Sequence, residues 1–186
     1  MTSSLHLFTR LAQTHKPECI MVLDGPTPEL VPAPEELAKT LGSDALAKYA
    51  AECRPIYENL RRIIGQLAGL AILARLTTRR EIADLQEMQR CEARCQETAQ
   101  RLSSLHVPTG AEAPKVQLDA AYAFCRTAMR TFSEMSGQAP LEEALDEVGM
   151  RIKRAYAHLQ AASSEKAGLE MVDFAHSCCC CTSRAA

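Results

Sequence analysis

Beyond Asp44 the chain places apolar residues at alternating steps of three and four: Leu46, Tyr49, Cys53, Ile56, Leu60, Ile63, Leu67 and Leu70. That spacing brings each side chain back to the same side of a 3.6-residue turn. It predicts a long helix buried along one seam, over roughly 44 to 75, with Ser43 and Asp44 as its capping residues. Pro55 falls inside the stripe without breaking its phase. A proline there removes one backbone donor and crowds the carbonyl four residues earlier. The expectation is therefore one helix kinked near 51–55, with two helices meeting there as the alternative.

Three further stripes share the period. Ile82, Leu85, Met88, Cys91, Cys95, Ala99 and Leu102 predict a helix over roughly 79 to 105, supported by Glu97 and Arg101 at a favourable four-residue spacing. The link at Thr77 and Thr78 is short, so these first two helices should pack as an antiparallel hairpin. Pro108, Gly110 and Pro114 then mark a loop. Leu118, Tyr122, Cys125, Met129, Phe132 and Met135 predict a third helix over roughly 115 to 135. Leu141, Leu145, Val148, Ile152, Ala155, Leu159 and Ala162 predict a fourth over roughly 140 to 162, opening at Pro140. Acids lead that fourth segment and Arg151, Lys153 and Arg154 follow, complementing the helix dipole. Leu60, Ile63, Leu67, Leu85, Cys95, Phe132, Leu145 and Ile152 are the expected core.

The fold class expected is all-α, as a four-helix bundle or as antiparallel helical hairpins. The seams keep a repeat of seven over several turns, which admits a homodimer or another helical protein partner. Residues 1–34 read as an extended Pro-rich lead-in, with five of the nine prolines between positions 17 and 34. Pro34, Glu35 and Glu36 suit a short helix that closes at Gly42. Residues 35–162 form the helical domain, and residues 163–186 a short helix on Leu169, Val172 and Phe174 followed by a Cys-rich tail.

Composition narrows the function classes. With 186 residues, 47% hydrophobic and 24% charged, the chain suits one folded domain. A net charge of −2 with mixed signs gives no footprint for nucleic acid. The longest uncharged run, residues 63–74, is too short to cross a bilayer as a helix, so no transmembrane segment is expected. The N-terminus lacks both the apolar run of a secretory signal and the arginine density of a transit peptide. A reducing cytoplasm follows, where cysteines serve as thiols or metal ligands rather than disulfides.

One feature departs from ordinary composition: His176 and Ser177 precede four adjacent cysteines, Cys178, Cys179, Cys180 and Cys181. Neighbours in sequence point in different directions along any regular backbone, so these thiols cannot all be core hydrophobes. The first reading is thiolate binding of a soft metal, copper(I) or zinc, with His176 adding an imidazole and Cys178 and Cys181 at knuckle spacing. A closed zinc site would need further ligands from a second chain or from the bundle. The alternative is a helical assembly module whose tail is S-acylated, giving membrane-surface tethering, or otherwise modified, as in a modified-peptide precursor.

Within the helices, Cys91 and Cys95 lie four apart on a buried face, with Cys53 and Cys125 expected to point inward nearby. This pair is similar to those of the copper-storage four-helix bundles, in which C-x-x-x-C pairs turn thiols into the core. The residues themselves read as small core hydrophobes. His106 and His158 read as solvated or capping, and no Glu-x-x-His pair, phosphate loop or nucleophile elbow occurs. The expectation is a non-enzymatic protein.

Overall fold

The computed structural model describes residues 32–77, 86–135 and 141–171. Of these residues 85% are helical, in five α-helices and with no strand. Helix α1, Pro34–Leu41, begins on a proline whose missing N–H lies among those left unpaired in any first turn. The Glu36 carboxylate accepts the Ala33 N–H at 3.4 Å. Gly42 ends the helix in the left-handed region, φ 71°, and donates to the Ala38 carbonyl at 2.9 Å.

Helix α2, Asp44–Thr77, runs 34 residues without a break across Pro55, so the stripe makes one helix and not two. Ala51, whose carbonyl loses the proline's donor, is exposed, and water can take the place of that bond. Helix α3 is Gln86–Ser104. The expected start of this element, near 79, lies outside the described residues, whereas its end agrees with expectation. Helix α4, Glu112–Glu134, starts earlier than predicted. Pro114 is inside its first turn and not in the preceding loop, because no intrahelical acceptor is forfeited there. The Ala111 carbonyl takes the Lys115 N–H at 3.2 Å, and Glu112 Oε2 takes the Gly110 N–H at 2.8 Å. Helix α5 is Leu141–Ala161.

Side-chain pairs give the helix directions. Gln117 meets His158 while Thr127 meets Arg151, so α4 and α5 run antiparallel, and this pair packs most extensively. Gln66 meets Cys91 and Arg94 while Lys48 and Glu52 share a groove with Arg101 and Ser104, so α2 and α3 are antiparallel too. Arg75 pairs with Glu142 and Asp146, at the start of α5, from the last turns of α2. Beyond the other end of α5, Arg54 and Arg61 of α2 hold the backbone at Gly168 and Glu170.

The core follows the predicted seams. Leu60, Ile63, Leu67 and Phe132 are fully buried, Leu145 nearly so, and Cys95 and Ile152 are also buried; Leu85 lies outside the described residues. In α3 the reading is corrected at one step: Thr98, not Ala99, is fully buried. Its hydroxyl donates to the Arg94 carbonyl at 2.7 Å, which satisfies it within its own helix and lets a polar residue occupy a seam position.

After α5 the chain turns. Residues Glu165–Ala167 form a single 3-10 turn, and Ser164 and Leu169 exchange backbone hydrogen bonds at 2.8 and 2.9 Å. Leu169, expected to open a short final helix, is instead held in this closed turn and buried. Val172 and Phe174, the other residues of that expected helix, lie outside the described residues.

Candidate functional site

The sequence-predicted ligands His176, Cys178, Cys179, Cys180 and Cys181 lie outside the described residues, as does most of the Pro-rich lead-in. The described body shows where its own thiols are and how the chain runs as far as Met171.

Cys53, Cys91, Cys95 and Cys125 are all free and buried, none more than 5% exposed. Cys91 and Cys95, one turn apart on α3, and Cys125 on α4 lie close enough that Cys91 disfavours ionisation of Cys95 and both disfavour that of Cys125. The Cys91 thiol donates to Gln66 Oε1 at 3.2 Å, an oxygen that also takes a hydrogen bond from Arg94 Nη1 at 2.5 Å. Gln66 and Arg94 escaped the sequence reading because a single polar residue beside an apolar seam carries no pattern.

Cys53 does not join this group. Gln66 is level with Cys91, and Cys53 stands 13 positions before Gln66. At 1.5 Å per residue that is about 20 Å along α2. Its polar neighbours are instead Tyr49, Glu52 and Lys115.

Burial keeps these sulfurs protonated. It pushes the Cys53 and Cys91 thiols up to about 11 and Cys95 to about 12, and raises Cys125 further, with neighbouring sulfurs adding to the shift at Cys95 and Cys125. Arg94 opposes this at Cys91 but does not outweigh the loss of hydration. No three His, Cys, Asp or Glu side chains among the described residues are grouped so that they could hold a metal ion. The interior thiols are packed in the core, and the similarity to copper-storage bundles does not extend to a ligand cluster among the described residues.

His158, read as solvated or capping, is engaged with α4: its Nδ1 lies 2.7 Å from Gln117 Oε1, and its ring stacks on Phe124 at 5.4 Å between centroids. The buried Tyr57 hydroxyl has no hydrogen-bond partner among the described residues, and the buried Tyr49 hydroxyl faces the Cys53 sulfur. Burial pushes the Tyr57 phenol up to about 12; burial first, and the nearby Cys53 sulfur second, push Tyr49 higher still.

The approach to the tail is more sharply defined. Arg54 Nη2 donates to the Gly168 carbonyl at 3.0 Å and Arg61 Nη1 to the Glu170 carbonyl at 3.3 Å. The two arginines are seven positions apart, two turns on one face of α2. Gly168 has φ 64°, and a Cβ there would strike the Arg54 guanidinium and lie 3.3 Å from Pro32 Cγ. The turn that leads to the tail is thus clamped to α2, and the start of the described body lies against it.

No protein-family model, curated protein or solved structure matches this chain. No helix among the described residues is long and apolar enough to cross a membrane.

Proposed function

We propose that this protein is a non-enzymatic four-helix bundle, working in a reducing cytoplasm, that binds a soft metal ion, copper(I) or zinc, through thiolates of its C-terminal segment. Cys178, Cys179, Cys180 and Cys181 are the ligands and His176 supplies an imidazole. What supports this reading is the burial of every cysteine among the described residues. Ligating sulfur must be deprotonated, and Cys53, Cys91, Cys95 and Cys125 are held as thiols at neutral pH. The run of four at 178–181 is the chain's remaining concentration of sulfur.

The test is elemental analysis of the full-length protein purified anaerobically under reductant, followed by titration with copper(I) and with zinc. One or more equivalents bound by the native chain and none by a variant with Cys178, Cys179, Cys180 and Cys181 changed to Ser is the expected result. If the native chain takes up neither ion, the reading is wrong. Mass spectrometry of the native tail then distinguishes acyl chains and other modifications from bare thiols.

A second reading, a helical assembly module, is favoured by Ile72, Leu73 and Leu76, which are exposed together on the last turns of α2 beside exposed Gly65 and Gly69. Sedimentation equilibrium with and without Leu76→Glu tests it: a dimer that dissociates in the variant supports assembly, and a monomer in both excludes it.

A further inference from the structure

A helix on the surface of a bundle ordinarily turns charged and polar side chains to water, and the last three turns of α2 do not. Their outward face carries Gly65, Gly69, Ile72 and Leu76, at steps of four, three and four. All four are exposed, Ile72 to 60% and Leu76 to 79%. At 1.5 Å per residue the strip is about 17 Å long. Its glycines are as unusual as its two large side chains. Both sit inside a helix, where glycine is less favourable than alanine, and a Cβ at either would meet nothing beyond its own helix within 4 Å. Neither a left-handed backbone nor packing among the described residues calls for glycine there. A neighbour that approaches the strip closely would.

The strip is complementary to itself. Turned end for end about its midpoint, between Leu70 and Ala71, it sets Gly65 level with Leu76, and Gly69 level with Ile72, of a second copy. Each large side chain then meets a glycine, the large-on-small arrangement that lets two surfaces interdigitate. A parallel pairing in register would set Leu76 on Leu76 and leave glycine facing glycine. Charge favours the same direction. The Leu76 end lies beside the start of α5, where Glu142 and Asp146 pair with Arg75 and Glu143 is exposed next to them. At the Gly65 end Arg62 is exposed on the same face of α2, and Glu58 lies a further turn outside the strip. Lys153, exposed two turns after Asp146 on α5, adds a cation toward that end. Antiparallel docking carries each copy's Arg62 toward the other's acids, whereas parallel docking would set acid against acid.

We propose that Gly65, Gly69, Ile72 and Leu76 form the face through which two copies of this chain associate, antiparallel, about a twofold axis at Leu70 and Ala71. This goes beyond the metal-binding reading; it rests on the assembly reading and names its partner, face and register. A twofold interface uses the same patch on both copies, so one strip supplies both the large side chains and the spaces that receive them. The strip is small against the roughly 800 Å² per partner of a standard interface, so the association is weak and concentration-dependent.

The experiment is sedimentation equilibrium of the full-length protein up to submillimolar concentration, reduced and with chelator present so that no metal-bridged dimer contributes. A reversible dimer, weakened by salt, is expected. Gly69→Ile and Ile72→Gly should each raise its dissociation constant about tenfold or more, and the double exchange should recover most of that loss, because position 69 of one copy is level with position 72 of the other. Gly69→Ile should leave thermal unfolding of the dilute monomer no lower than native, since the added side chain enters open space, and this separates a lost contact from a lost fold. Arg62→Glu should weaken the dimer and reduce its salt dependence. If Leu76→Glu dissociates a dimer that is indifferent to Gly69→Ile, or that the double exchange fails to recover, this face and register are overturned and assembly stands. A protein monomeric at every concentration overturns both.

Discussion

At the scale of single residues, fully buried side chains carry the stability and the exposed charges carry little of it. Leu67 is fully buried in the seam of α2, so Leu67→Ala should destabilise the protein by about 2 to 5 kcal/mol, the lost transfer energy plus the cavity left behind. Arg154 is exposed, its guanidinium 5.8 Å from the Phe124 ring centre, and Arg154→Ala should change stability by about 1 kcal/mol or less. Urea unfolding of both variants checks the contrast, and near-equal losses would mean the phase of α2 is misassigned. The thiols give a pH signature. Cys91 and Cys95 have ordinary values of 9.0 that the fold raises to about 11 and about 12. A group raised in the folded state contributes stability that is fully present below its unfolded value and disappears as pH climbs through its folded value. The urea midpoint should therefore hold steady up to about pH 9 and fall between about 9 and 12, and Cys95→Ala should flatten part of that fall relative to its own neutral value. A midpoint that rises over this range would contradict the assigned burial.

At the scale of elements, the turn after α5 depends on one backbone conformation and one guanidinium. Gly168 sits at φ 64°, where a side chain is strained, and its missing Cβ leaves room for Arg54. Gly168→Ala should destabilise by more than about 1 kcal/mol, because the strain of the left-handed region and the displacement of Arg54 act together. Arg54→Ala in the Gly168→Ala background should recover part of the loss, since it removes the clash and leaves only the strain. Thermal melts of the two single variants and the double read this coupling directly; strictly additive losses would show that Arg54 and Gly168 do not interact. The same scale explains two departures from sequence expectation. Pro114 reads as a loop residue, yet a helix tolerates proline in its first turn, so α4 begins at Glu112. Ala99 reads as the seam residue of that turn, yet Thr98, its hydroxyl bonded to the Arg94 carbonyl, is the one fully buried.

At the scale of the whole molecule, the body and the tail should separate in experiment. Among the described residues the last α-helical one is Ala161 and the last buried one is Leu169, so removing residues 177–186 deletes no residue of the described core. The truncated, metal-free protein should unfold at the same temperature as the metal-free full-length chain, by calorimetry, while taking up no copper(I) or zinc. A drop of several degrees on truncation would tie the tail to the core and remove the division of labour between them. In the full-length protein, zinc affinity should decline as pH falls below neutral, because protons compete for the ligating sulfurs.

Periodicity determined the four long helices of the described body, their seams and much of its core, since a helix buried along one side imposes steps of three and four on any sequence that folds into it, while the short first helix was legible from Pro34 and Gly42 at its ends. It also placed Leu60, Ile63, Leu67, Phe132 and Leu145 correctly, because large apolar side chains have no favourable alternative to burial. The tertiary structure alone decided which cysteines share a neighbourhood. Cys53 and Cys91 have the same residue type and the same kind of seam position, but the packing of α2 on α3 brings Cys91 to Gln66, about 20 Å along α2 from Cys53. It likewise decided that Pro32 and Gly168, 136 positions apart, are neighbours. Such long-range pairings leave no mark on local spacing, because they follow from how whole helices stack and not from what any one of them must bury.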